Sequence, residues 1–381
     1  MPPACCCMDN ATPRRIVVCV DGTNNHPGAG YTNIQRLVRM LDADAGQLIY
    51  YQPGAGTIEP PLALPLSRRV MMFVDSVSAV MLQRHVCAAY RFLMAHYRPG
   101  DQLYFFGFSR GAYAVRVLAG MLGKVGLLRE GFDEMVPFAW RTYLARGNRD
   151  AASEFRNAYG HYVRGIRFLG LFDCVSAIGS PWRPRTFERT FRNRSVQTVR
   201  HALALDERRA MFVPNLWADS DTPEDDGEGA NAATDVAQVC FAGVHADIGG
   251  GYPDAEAGLS LIPLAWMKQE AEHAGLRFRP RVSARLLDPG HQEASSAEAV
   301  GARHATARAH DELAAHWYWR LMEACPLPRW RRDEGERWTR RWRPHLGKPR
   351  YLPPSATHHA SVQARIDSVA GYRPAAKTWH R

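Results

Sequence analysis

Leu103-Tyr104-Phe105-Phe106-Gly107-Phe108-Ser109-Arg110-Gly111 is the stretch from which the fold can be read. An apolar run enters Gly-x-Ser-x-Gly, and a helix-patterned segment from Ala112 to Leu128 leaves it. Strand, sharp turn and helix in that order predict a nucleophile elbow, which holds a serine Oγ above the carboxyl end of a parallel sheet. A turn this tight strains the serine backbone and leaves no room for Cβ atoms where strand and helix approach, hence a glycine on each side.

Outward from the elbow, the chain alternates between strands and helices. Ile16-Val17-Val18-Cys19-Val20 is a β-branched run of the kind buried on both faces of a sheet, and it ends at Asp21. The polar turn Asp21-Gly22-Thr23-Asn24-Asn25 follows, and a helical pattern runs from Asn33 through Leu41. Val70 to Met94 reads as a buried helix, because Asp75, Arg84, His85 and Arg91 interrupt it too often for a membrane span. Ile166 to Phe172 is a third strand ending at Asp173, and Val236 to Val244 a fourth ending at His245. Between them lie a basic run (183–194), a helical pattern from His201 to Arg209, and an acidic loop from Asp219 to Glu228, together read as an insertion over 183–235 near the active site. Past Pro263 a helix runs to Gly275, and beyond it no strand alternation stands out. The expected class is α/β: an α/β-hydrolase-like, mostly parallel sheet flanked by helices, with a cap-like insertion and a helical or irregular C-terminal part. Residues 1–13 read as a disordered tail, 14–381 as one catalytic domain, and 290–381 as its Trp/Arg-rich C-terminal part.

Composition bounds the function. Of 381 residues, 46% are hydrophobic and 23% charged, ordinary values that argue against a disordered chain or a membrane bundle. A net charge of +10 favours anionic partners. The stretch before Arg14 has no basic start followed by an apolar segment, so it does not read as a secretory signal peptide, and export by the general pathway is not expected. The eight cysteines, including Cys5-Cys6-Cys7, lack the spacing of a metal site or a disulfide framework, and no cofactor or metal is expected.

A serine is a weak nucleophile at neutral pH and needs a histidine base held by a carboxylate. Ser109, Asp173 and His245 fall at three strand ends in the order that α/β-hydrolases use. His358 and His359 are alternative bases, and Asp247 is an alternative orienter. The oxyanion hole should take the backbone N–H of Arg110 and a second donor from Gly22 or Thr23. Asp21 is a supporting residue; metal ligation there has no second carboxylate close in sequence. Arg331, Arg332, Arg340, Arg341 and Arg343 interleave with Trp330, Trp338 and Trp342, a composition that suits a lipid interface or nucleic acid. A non-catalytic basic membrane- or nucleic-acid-binding module on the same scaffold is therefore the alternative reading.

Taken together, DGTNN from Asp21, GFSRGA from Gly107, FDCV from Phe172, HALALDERR from His201, GVHADIGGGY from Gly243, HDELAAHW from His310 and HHASVQARI from His358 resemble the class one lipase effectors of bacterial type VI secretion. The resemblance implies a Ser109, Asp173, His245 phospholipase or carboxylesterase acting on membrane glycerophospholipids. It also implies a phospholipid membrane surface as partner, with secretion-machinery and immunity proteins beside it, delivery to a target cell, and no nucleic acid. Cys174 stands where a hydroxyl residue is expected, and Ala246 where a serine is.

Overall fold

The computed structural model describes residues 13–22, 30–54, 79–145, 147, 149–163, 165–175, 179–180, 183–184, 187–217, 235–288, 296–324, 326–332 and 338–378. Cys5-Cys6-Cys7, Thr23, residues 70–78 and the acidic loop from Asp219 to Glu228 lie outside these.

Seven parallel strands make the main sheet: β1 (Arg15–Val20), β2 (Gln47–Gln52), β3 (Gln102–Phe108), β4 (Ile166–Phe172), β5 (Val196–Ala204), β6 (Asp235–Phe241) and β7 (Thr357–His358). Their spatial order is β7-β6-β5-β4-β3-β1-β2. From β1 the chain moves outward to β2 and then crosses back to place β3 on the other side of β1. That reversal opens a crevice at the carboxyl ends of β1 and β3, the position where open parallel sheets bind ligands.

Alternation along the strands builds two cores. Ile16, Val18, Val20, Leu103 and Phe105 face one side, where α2 (Ala79–His96), α3 (Arg110–Val125) and α4 (Val136–Leu144) pack, with α5 (Arg149–Tyr159) at their edge. Val17, Cys19, Tyr104, Phe106 and Phe108 face the other, covered by α1 (Asn33–Met40) and, past the short helix α6 (His245–Gly249), by α7 (Gly258–His273), α8 (Pro280–Leu287) and α9 (Ala297–His304). A strand buried on both faces needs apolar residues at every position, which is why these runs were legible as strands.

Three expectations need correction. His201 to Arg209 is not a helix: Val196–Ala204 is the interior strand β5, so the 183–235 stretch contributes to the sheet itself. The fourth predicted strand ends at Phe241 rather than Val244. Beyond Pro263 there are strands after all, since Thr357–His358 extends the main sheet and Leu327–Arg332 pairs antiparallel with Trp338–Arg343. Among the described residues no helix is long and apolar enough to cross a membrane.

Candidate active site

Adjacent register brings the two polar strand ends together. Phe108 of β3 pairs with Phe172 of β4, and the Ser109 N–H donates to the Phe172 carbonyl at 3.0 Å, so Ser109 and Asp173 leave the sheet side by side. Both have left-handed backbone, φ 57° at Ser109 and φ 40° at Asp173. Such conformations cost about 1–3 kcal/mol each in a non-glycine residue and persist only where the surroundings hold them. Here glycines make the space. A Cβ on Gly107 would sit 2.5 Å from the Ala112 backbone, and one on Gly111 would collide with the Val20 carbonyl.

Asp173 is fully buried, and four donors surround its carboxylate. Oδ2 lies 2.5 Å from His245 Nδ1 and accepts from Arg350 Nη2 at 2.9 Å; Oδ1 accepts from Arg350 Nη1 at 2.7 Å and from the Ala204 N–H at 3.0 Å. Burial by itself would raise its pKa, but the Arg350 charge and the His245 hydrogen bond hold the carboxyl well below the usual range.

The His245 ring packs between Phe108 and Phe212, each with its centroid 4.7 Å away. A Cβ on Gly249 would collide with the Phe108 ring, so α6 can lie this close only with glycine there. The His245 N–H donates to Glu207 at 3.2 Å, and Arg209 grips the same carboxylate through Nε at 3.0 Å and Nη2 at 2.7 Å while its guanidinium lies 3.8 Å over Phe212. Burial lowers the His245 pKa against the raising effect of Asp173. The ring is thereby biased to its neutral form, the one able to accept a proton.

Arg110 begins α3, and the N–H of a first-turn residue has no intrahelical acceptor. Its side chain has no hydrogen bond or ion pair among the described residues, its Nε is shielded from solvent, and burial lowers its pKa to about 10. Gly22 differs: its N–H donates to Asp21 Oδ1 at 2.7 Å. The other Asp21 oxygen accepts from Thr32 at 2.7 Å and Tyr51 at 3.0 Å, yet burial raises the Asp21 pKa to about 7. Asp21 thus braces the turn under the elbow; among the described residues no group of three or more His, Cys, Asp or Glu is placed to hold a metal ion.

The alternative residues sit elsewhere. Asp247 pairs with His310 Nδ1 at 2.7 Å and caps the Val244 N–H at 3.0 Å. His359 caps its own helix (Ala360–Ser368), with its ring on Phe241 at 4.8 Å, and His358 is exposed on the edge strand. Cys174, at the position expected to carry a hydroxyl, is buried, and its N–H donates to His201 Nε2 at 3.1 Å. Sequence reasoning missed Arg350, Glu207, Arg209 and Phe212. The run HALALDERR held a signal for the middle two, since polar residues immediately after a strand lie at the carboxyl edge; Arg350 carried none.

Residues 14–270, more than half of the chain, match the type VI secretion phospholipase effector Tle1-like catalytic domain. The chain belongs to this family. An uncharacterized protein of Saccharomyces cerevisiae is 39% identical over 218 residues, which cover 52% of this chain and 32% of the yeast protein, so the chain spans about a third of that relative. Among solved structures, an uncharacterized protein from Pseudomonas aeruginosa is 21% identical with a TM-score of 0.43, over 77% of this chain and 53% of that one. The Tle1 effector bound to the VgrG spike of the type VI secretion system is 19% identical with a TM-score of 0.36, over 65% and 52%. Within the Tle1-like domain fall Ser109, Asp173, His245, Glu207 and Arg209; Arg350 comes from beyond residue 270.

Proposed function

We propose that this Tle1-like chain hydrolyses acyl esters of membrane glycerophospholipids through an acyl-enzyme on Ser109. The observation that carries the reading is the 2.5 Å contact between His245 Nδ1 and Asp173 Oδ2 beside a serine with elbow geometry. Ser109 Oγ attacks the ester carbonyl carbon as its proton passes to His245 Nε2, and the Asp173 contact keeps the Nδ1 proton in place. The Arg110 N–H meets the oxyanion; the Gly22 N–H, the other described candidate, is already given to Asp21 Oδ1. Collapse expels the alcohol, which takes the proton from His245; water then repeats the cycle on the acyl-enzyme and frees the acid. The Arg110 guanidinium, which has no ion pair among the described residues and lies one residue from Ser109, supports a substrate that carries a phosphate.

Family membership supports delivery as a type VI secretion effector, with secretion-machinery and immunity partners. Turnover of glycerophospholipid vesicles, read by mass spectrometry of released fatty acid and lysophospholipid, tests the chemistry. Ser109→Ala should lower it by about 10⁴-fold or more. Equal turnover by wild type and Ser109→Ala would refute the mechanism.

A further inference from the structure

We infer that Arg350 is a positioning residue of the hydrolytic site: its guanidinium fixes the Asp173 carboxylate against His245 and offsets the negative charge that faces the ring. The inference rests on the proposed roles of Ser109, His245 and Asp173.

Arg350 meets Asp173 fork to fork, one nitrogen to each oxygen, at 2.7 and 2.9 Å. That bidentate geometry fixes the plane of the carboxylate as well as its position, which a single hydrogen bond or a lysine ammonium cannot do. The guanidinium is itself anchored, donating to the Phe212 carbonyl at 2.5 Å and the Ala204 carbonyl at 3.3 Å. Two residues on, Leu352 packs with Leu203, Leu205, Cys240 and Val362, so the segment is docked on the sheet by its own apolar contacts. It therefore brings to the catalytic carboxylate a cation 177 residues away in sequence.

Two carboxylate–arginine pairs lie near His245 among the described residues. Asp173 is paired with Arg350, and Glu207 with Arg209, which also meets Glu312 at 3.7 Å; the rings of Phe108 and Phe212 pack on the imidazole. Two uncompensated carboxylates would favour a protonated imidazole, which cannot accept the serine proton. With each carboxylate paired, the ring rests neutral at lower pH, while Asp173 still holds the correct tautomer. Arg350 thus trades some stabilisation of the imidazolium in the transition state for a base that is ready before substrate arrives.

The test is kcat/KM against pH on a water-soluble short-chain ester, for wild-type full chain, Ser109→Ala, Arg350→Gln and Arg350→Lys. Arg350→Gln removes the charge, so the acidic limb should move upward by about one pH unit, the effect of a charge at this range. Its plateau should fall about 10²-fold through lost orientation. Arg350→Lys keeps the charge without the fork: its limb should stay at the wild-type pH while kcat falls about tenfold with KM little changed. If Arg350→Gln does not fold, the lysine variant decides: wild-type kcat overturns the inference, and a lower kcat on an unmoved limb supports it. An unmoved limb in folded Arg350→Gln also overturns it. A fully active Ser109→Ala would instead sink the underlying serine mechanism, so the two failures are distinct.

Discussion

Two histidine–aspartate pairs start from the same short helix, and their imidazoles are shifted in opposite directions. His245 meets Asp173 at 2.5 Å, and Asp247, two residues along, meets His310 at 2.7 Å. Distance therefore does not separate them; surroundings do. His245 lies between two aromatic rings, and burial outweighs its carboxylate and lowers its pKa. His310 stacks on Tyr252 at 3.6 Å, and its Nε2 faces Glu256 at 3.2 Å, so two acceptors flank one ring and its pKa is raised, first by the Asp247 hydrogen bond. A ring with both nitrogens engaged by carboxylates is a strut held toward its protonated form. A ring with one nitrogen held by a carboxylate, in an apolar slot, is held toward its neutral form, the one able to accept a proton. The Asp173 charge is also balanced by Arg350, whereas Asp247 has, among the described residues, His310 and backbone donors.

Swapping the same substitution between the pairs should break this comparison most visibly. His245→Gln is expected to lower ester turnover about 10⁴-fold or more, as loss of a triad member does. His310→Gln should leave turnover within about threefold, since it removes a strut and no proton acceptor. Comparable losses in both variants would mean that proton transfer runs through both pairs and that the distinction is false.

A smaller effect should come from the packing that sets the His245 slot. Gly249→Ala puts a methyl against the Phe108 ring, which stacks on His245, so either the ring or α6 has to move. A displacement of about 1 Å at a catalytic base costs about 10²-fold in rate. Steady-state kcat on a short-chain ester reads it, and unchanged kcat would show that Phe108 does not position the base.

The sequence shows the serine side of this comparison better than the carboxylate side, for physical reasons. β1, β3 and β4 are buried on both faces, so their runs are continuous and the residues that follow them, Asp21, Ser109 and Asp173, can be located by counting. β5 hides because it is interrupted: Arg200 lies inside it, paired with Asp235 and Glu270, and His201 serves the Cys174 N–H. Polar residues satisfied by tertiary partners look helical or irregular in one dimension. β2 is only half-buried along most of its length, and β7 has two residues, too few to show a period. Arg350 sits in a proline-flanked loop with no pattern, and only packing reveals that it reaches Asp173. Asp247 and Asp173 could not be told apart as orienters from sequence, because the choice depends on where His310 folds back.

The smallest effect is on stability, and its sign differs between the two histidines. The folded His310 pKa is raised above its ordinary 6.5, so its contribution is fully present below about pH 6.5 and is lost as pH rises through the folded value. The folded His245 pKa is lowered, so the native state resists protonation there and loses stability as pH falls below 6.5. His310→Gln should therefore lower Tm at pH 5.5 by about 2 °C, for roughly 1 kcal/mol of charge-assisted hydrogen bonding, with the gap narrowing by pH 9. His245→Gln should do the reverse and gain Tm relative to wild type as the pH is lowered, because it removes a buried group that acid would charge. Thermal melts of both variants across that pH range measure the crossing. Parallel curves would mean that the two rings share one protonation state, and then the buried slot could not be what makes His245 a base.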